Sequence, residues 1–210
     1  MTTPALVVAV SGGGSNLQAI IDAIAADELA ARIALVVSDR PECGGVQRAI
    51  AQRIPVCAVP FPRRATPAQR AAWEAQLLGV VNVFAPDLVV LAGFMRILSA
   101  SGLATLTMPI INQHPALLPA DGGEHYQLSD GRVIPALRGA HVVADALALR
   151  LPVTGCTVHY VVPAVDRGPV IATHEVPIET TDSVETLHAR IRSVEQHVLI
   201  TALKSLLASP

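Results

Sequence analysis

The chain has 210 residues, of which 51% are apolar, 15% charged and 3% aromatic. This length suits one α/β domain with a sizeable core, and the balance excludes a disordered chain; with so few aromatics the core must be built from Ala, Val, Leu and Ile. A formal net charge of −2 gives no global basic field, which argues against duplex nucleic acid as the main partner and leaves room for a local anion site.

Ala5–Val10 is a short valine-rich run ended by Ser11-Gly12-Gly13-Gly14, and it predicts a buried parallel strand. Leu17, Ile20, Ile21 and Ile24 then recur at helical spacing. Further strands are predicted at Ile33–Ser38, Val56–Val59, Asp87–Ala92 and Ile110–Asn112, with helices from Cys43 to Gln52 and from Pro67 to Phe84. This alternation predicts an α/β fold, a doubly wound sheet with helices on both faces. Between Pro119 and Gly139 the pattern changes: two short runs flank Ser129-Asp130-Gly131-Arg132, a hairpin signal. Helix resumes around His141–Leu149, strands follow at Val158–Val162 and Val170–Val176, and Ser183–Leu207 is a closing helix with Thr181, Asp182 and Ser183 as N-cap candidates.

Cys43, Cys57 and Cys156 are widely spaced, odd in number and without a CxxC pair, so a reduced cytoplasmic setting is expected. No basic leader precedes the first strand, and that strand is too short to span a bilayer. None of the cysteines has the basic surroundings of a nucleophilic thiol. His125, His141, His174, His188 and His197 show no zinc-ligand spacing. His159 is expected to be a packed, hydrogen-bonded residue, and Arg63-Arg64 a solvated turn.

Four segments carry chemistry. Gly12-Gly13-Gly14-Ser15-Asn16 joins the first strand to the first helix, where glycines admit a ligand to the backbone and the helix N-terminus attracts an anion. Leu17 stands where a dinucleotide fingerprint has its third glycine, and there is no P-loop lysine. A plain glycine turn also fits, but the end of a parallel strand is where ligands bind. Gly93-Phe94-Met95-Arg96-Ile97-Leu98 follows another strand end, and alone reads equally as a binding loop or an apolar strand exit. Asn112 and His114 are two apart and so share a side of an extended chain; an amide donor beside an imidazole suits acyl transfer, one for the oxyanion and the other for charge or a proton. Asp166-Arg167-Gly168-Pro169 is either an ordinary turn or the source of a carboxylate for His114.

Taken together with VTGCTVHYV and VDRGPVI, these segments resemble the folate-dependent formyltransferases from about Ala5 to the last helix, in the family's order. NxHPxLLP with a later DxGP is common to the family, whereas SGxGSN with GFMRIL marks its glycinamide ribonucleotide branch. The resemblance implies a single Rossmann-like domain over residues 1–210, with an insertion at about 120–138, that moves the formyl group of 10-formyltetrahydrofolate to the amine of glycinamide ribonucleotide. It implies a catalytic trio of Asn112, His114 and Asp166, a phosphate site at Gly14, Ser15 and Asn16, and Arg192 and Glu195 near the same substrate. It places the folate against Arg70, Met95, Arg96, Ile97, Leu98, Asn112, Val162 and Asp166. No metal is implied, nor a nucleic-acid or membrane partner; the expected enzyme is a cytoplasmic monomer or homodimer acting on small molecules.

The sequence departs from the family after Pro119, where a short segment such as FPG usually leads to a helix and Asp121 to Leu137 stands instead. Gln113 occupies a position more often aliphatic. Alternatives within the family are formyl transfer to methionyl-tRNA or to a sugar nucleotide amine, and formyl-folate hydrolysis; those enzymes usually carry a further domain, which is not expected here. A non-catalytic nucleotide-binding module would account for the glycine loop but leaves Asn112, His114 and Asp166 without a role.

Overall fold

A run of six apolar residues without alternation needs cover on both faces, and Ala5–Val10 (β1) is buried throughout in the computed structural model, which describes residues 3–208. It is followed by α1 (Ser15–Ala25), β2 (Arg32–Ser38), α2 (Gly44–Ala51), β3 (Val56–Ala58), α3 (Pro67–Phe84), β4 (Leu88–Leu91) and α4 (Ala100–Leu103). Then come β5 (Ile110–His114), β6 (His125–Gln127), β7 (Val133–Pro135), α5 (Val142–Ala148), β8 (Val153–Tyr160), β9 (Val170–Pro177) and α6 (Val184–Leu207). The mostly parallel seven-stranded sheet has the order β3-β2-β1-β4-β5-β8-β9, so the expected α/β class is observed. The described chain divides into two compact units, one running through Ile111 and taking in Leu207, the other Asn112–Leu206.

In the first unit β1 pairs in parallel with both β2 and β4, and β2 with β3. The chain order reverses between β1 and β4, the kind of point outside which α/β sheets bind ligands. The α3 boundaries follow the sequence closely because its start is fully specified. Thr66 Oγ1 accepts the Gln69 N–H at 3.2 Å, Gln69 Oε1 accepts the Thr66 N–H at 2.9 Å, and Pro67 takes the first helical position. The helix buries Trp73, whose indole N–H donates to the Val59 carbonyl at 2.7 Å and whose ring meets Phe61 edge-on at 4.9 Å and stacks with Phe94 at 6.5 Å. Glu74 on the same helix accepts the Ser99 N–H at 2.6 Å and also the Ser99 hydroxyl hydrogen, anchoring the start of α4. That helix is four residues long and carries no apolar period for the sequence to display.

In the second unit the stretch after Pro119 is indeed a hairpin. β6 and β7 pair antiparallel, with Tyr126 opposite Ile134. Ile134 and Leu128 are buried against Leu117, with Tyr126, Leu151 and Val153 packed around them, so the insertion is seated on its own unit through an apolar cluster. β8 begins at Val153, earlier than the expected Val158, and pairs antiparallel with β9. Thr154-Gly155-Cys156-Thr157 lacks the large apolar residues that announce a strand, yet each is buried. Thr157 Oγ1 donates to the Ala116 carbonyl at 2.8 Å and accepts the Leu118 N–H at 3.1 Å, which removes the cost of burying a hydroxyl. α6 starts where the sequence indicates: Ser183 Oγ accepts the Thr186 N–H at 3.2 Å and Thr186 Oγ1 the Ser183 N–H at 2.9 Å.

Gly155 is a point of close approach, since a Cβ there would lie 2.0 Å from the His174 carbonyl oxygen and 2.7 Å from Leu117 Cδ2. Gly155→Ala is therefore expected to destabilise the protein by about 1–3 kcal/mol through overpacking. Urea unfolding should show a lower midpoint with an unchanged slope, and an unshifted midpoint would mean that β8 and β9 separate freely.

Candidate active site

Two loops meet at the carboxyl ends of β1 and β4. The Ser11 N–H donates to the Gly93 carbonyl at 3.2 Å, and Ser11 Oγ accepts the Met95 N–H at 2.9 Å, so the glycine loop and the segment Met95–Leu98 are tied by one buried serine. Gly14 has φ +75°, and a Cβ on it would fall 2.5 Å from Gly45 Cα. The backbone of α2 thus lies directly against the loop, with the Gly45 N–H donating to the Gly12 carbonyl at 2.9 Å. Arg48, one turn into α2, adds a bond to the Gly13 carbonyl at 2.9 Å and one to Gln18 Oε1 at 3.0 Å. No side chain caps α1, and Ser15 and Asn16 stand at its first turn, where backbone amides and the helix dipole favour an anion.

The second loop presents apolar surface. Met95 and Ile97 are more than half exposed, beside buried Phe94 and Leu98. Arg70 of α3 donates to the Ile97 carbonyl at 3.0 Å, fixing the loop while its guanidinium stays exposed. Arg96 is committed inward: Nε bonds Asp39 Oδ2 at 2.6 Å and the guanidinium lies 4.1 Å from the centre of the Phe61 ring.

In the second unit Asn112, His114 and Asp166 come together. β5 is extended through His114, so Asn112 and His114 share a side as their spacing requires. The His114 ring is buried, with Nδ1 at 3.6 Å from Asp166 Oδ2. Its Nε2 lies 2.9 Å from the Leu137 carbonyl. A carbonyl only accepts, so Nε2 carries the hydrogen and the neutral ring turns its Nδ1 lone pair toward Asp166. His159 sits on the other side of the carboxylate, with Nε2 at 3.6 Å from Asp166 Oδ1. By the same reasoning its Nδ1 donates to the Tyr160 carbonyl at 2.9 Å, which leaves Nε2 to accept from Asn112 Nδ2 at 3.2 Å. One hydrogen of the Asn112 amide is thereby held and the amide plane fixed; the second hydrogen is left to donate elsewhere.

Asp166 itself adopts φ +52°, a conformation a non-glycine residue keeps when its surroundings hold it. The Gly139 N–H donates to Asp166 Oδ2 at 2.9 Å and Arg138 Nε to the Asp166 carbonyl at 3.1 Å. Burial raises the Asp166 carboxyl, but the rings of His159 and His114 and the Gly139 N–H prevail, leaving it below its ordinary value. Burial is also the largest influence on His114 and holds it below its ordinary 6.5, although the Asp166 charge and the Leu137 carbonyl pull it upward. The site at neutral pH is thus a neutral imidazole facing a carboxylate. A proton reaching Nδ1 would lie between the two.

Of the other expected residues, Glu195 is buried on α6 and its charge is felt at Cys156, whose thiol is pushed up to about 12 by burial first and by Glu195 second. That thiol is no nucleophile. Arg192 lies exposed on the same helix, and Val162 is half-buried in the loop before Asp166. Among the described residues no group of three His, Cys, Asp or Glu side chains could hold a metal ion, and no described helix is long and apolar enough to cross a membrane. Ser11, Arg48, Leu137, Arg138 and Gly139 contribute contacts that the sequence did not announce, because a backbone carbonyl or a single serine carries no motif.

The chain as a whole is similar to known proteins. A family description, formyl transferase, matches residues 5–203. The phosphoribosylglycinamide formyltransferase of Mycobacterium tuberculosis is 40% identical over 96% of this chain and 84% of its own length. The trifunctional purine biosynthetic protein adenosine-3 of Bos taurus is 34% identical over 94% of this chain and 18% of its own length. The crystal structure of phosphoribosylglycinamide formyltransferase from Bacillus halodurans superposes with a TM-score of 0.82 at 33% identity, covering 98% of this chain and 96% of that one.

Because Asp166 pulls the His114 pKa upward against burial, Asp166→Asn should lower it further. NMR titration of the His114 ring is expected to give a midpoint below 6.5 in the parent protein and a lower one in the variant. An unchanged midpoint would show that the carboxylate does not act on this ring.

Proposed function

The chain belongs to the formyl transferase family, and on that footing we propose that it transfers the formyl group of 10-formyltetrahydrofolate to the amine of glycinamide ribonucleotide in purine biosynthesis. The observation that carries the chemistry is the convergence of Asn112, His114 and Asp166, with Asp166 in contact range of His114 and the Asn112 amide oriented by His159. When the uncharged amine attacks the formyl carbon, the carbonyl oxygen gains negative charge. The remaining Asn112 N–H is the donor for that oxygen, an effect that is usually the largest in acyl transfer. The amine nitrogen becomes cationic as it bonds and must lose a proton, while the folate nitrogen must gain one as its bond to the formyl carbon breaks. The facing pair of His114 Nδ1 and Asp166 is the place that holds a proton between those events.

The binding roles rest on local chemistry. Gly14, Ser15 and Asn16 offer the start of α1 to the substrate phosphate. Glu195 and Arg192 serve the same substrate. The exposed Met95 and Ile97 give apolar surface to a flat aromatic ring, Leu98 and Arg96 hold that loop's shape, and the Arg70 guanidinium answers an anionic folate tail. Val162, Asn112 and Asp166 complete the folate contacts. The proposal takes residues 1–210 as one catalytic domain in the cytoplasm, a monomer or homodimer that works on small molecules without a metal.

A spectroscopic assay tests this directly: 10-formyl-5,8-dideazafolate with glycinamide ribonucleotide should release the deformylated analogue, and the absence of turnover would reject the substrate assignment. Asn112→Ala, His114→Ala and Asp166→Ala should each retain substrate binding and lose about 10²–10³ in turnover; a variant near parental turnover drops out of the catalytic set. Glycinamide ribonucleoside, which lacks the phosphate, should bind far more weakly in calorimetry than the nucleotide. Gly14→Val should abolish that difference, since its side chain meets Gly45; equal affinity for both compounds in the parent protein would reject the phosphate site.

A further inference from the structure

The segment Leu137-Arg138-Gly139, at the end of the insertion, touches both acid–base groups within three consecutive residues. Its first carbonyl accepts from His114 Nε2 at 2.9 Å, and its last N–H donates to Asp166 Oδ2 at 2.9 Å. Between them the Arg138 guanidinium reaches in two directions. Nε donates to the Asp166 carbonyl at 3.1 Å; the terminal nitrogens donate to the carbonyls of Gly122 at 3.3 Å, of Gly123, and of Ala136 at 3.5 Å, and pair with Glu124 Oε2 at 3.3 Å. The side chain is 13% exposed, while its carboxylate partner Glu124 is 65% exposed. Its principal partners are thus backbone carbonyls, which fix geometry, and the exposed ion pair adds little. Arg167, next to Asp166, repeats the grip from the other side, bonding the Gly122 carbonyl at 2.7 Å and pairing with Glu124.

We propose that Arg138 is a positioning residue: by clamping the foot of the hairpin to the backbone of Asp166, it holds the Leu137 carbonyl and the Gly139 N–H where they set the His114 tautomer and the Asp166 rotamer. The inference rests on the reading of His114 and Asp166 as catalytic. Without the clamp, three things loosen together. Asp166 loses support for its left-handed backbone. Its carboxylate loses a fixed donor. The His114 ring loses the carbonyl that keeps hydrogen on Nε2 and the lone pair at Nδ1 facing Asp166. The hairpin is in this account part of the catalytic scaffold, neither a lid over the substrates nor a surface decoration.

The full-length variants Arg138→Met and Arg138→Lys test the proposal. Methionine keeps the apolar stem and removes every donor. Lysine keeps the charge but cannot bond the carbonyls of Gly122, Gly123 and Asp166 at once. Arg138→Met should lower kcat about 10- to 100-fold with both KM values within about twofold of the parent. Two-bond ¹H–¹⁵N correlation spectra of the free protein should show His114 leaving the pure Nε2–H form for a mixture, and Arg138→Lys should fall between. An unchanged kcat with an unchanged imidazole spectrum overturns the proposal, as does a rise in KM at constant kcat, which would make the hairpin a substrate-entrance element. Should Arg138→Met fail to fold, Arg138→Lys is judged by the same criteria, and parental kcat and spectrum in it reject the clamp. His114→Ala separates the two readings: parental turnover there removes the catalytic assignment, while the imidazole spectra still decide whether Arg138 sets the ring.

Discussion

One carboxylate, Asp166, lies between two buried imidazoles, and the geometry of the second unit is arranged around that fact. Its two oxygens face His114 and His159 at 3.6 Å each. Neither ring chooses its tautomer freely, because a backbone carbonyl, Leu137 for one and Tyr160 for the other, accepts from the nitrogen remote from Asp166. The same type of group in nearly the same surroundings therefore does two jobs. His159 turns its lone pair to Asn112 and orients an amide; His114 turns its lone pair to Asp166 and can take a proton. Burial disfavours charge on the His114 ring, and the Asp166 carboxylate is the nearby charge that favours it.

The first unit obeys a different constraint, close approach of backbone to backbone. The loop after β1 and the start of α2 touch at Gly14 and Gly45 with no space for a side chain between them. Ser11 then couples this loop to the one after β4. A small displacement of either loop is thus felt by the other.

Much of this was legible in the chain itself. The continuous apolar runs gave β1, β2 and β4 because strands covered on both faces need no alternation, and α3 was bounded by Thr66-Pro67 and Gln69 because a capping box is local chemistry. Asn112 and His114 were visible as a pair since a spacing of two is enough to align them. The first half of β8 carries no such signal, because Thr154, Gly155, Cys156 and Thr157 earn their strand through partners remote in sequence: the Ala116 carbonyl, the Leu118 amide and the His174 backbone. The insertion was recognisable as a hairpin from its Asp-Gly turn, but its grip on Asp166 was not. An arginine that bonds carbonyls leaves no pattern, and its target depends on a fold that brings residues 28 apart into contact.

The scarcity of aromatic side chains has a practical result. The chain has one tryptophan, three phenylalanines and two tyrosines. Trp73, Phe61, Phe84 and Phe94 all belong to the first unit, and Tyr126 and Tyr160 to the second. Indole emission therefore reports on one unit alone, and from a ring stacked with Phe94, the neighbour of Met95. The tyrosine bands, separated from the indole band in second-derivative absorbance, report on the other, from one ring in the hairpin's apolar cluster and one adjacent to His159. The two halves of the molecule carry separate optical labels, so their melting can be followed independently in a single unmodified sample, without a probe being attached to either.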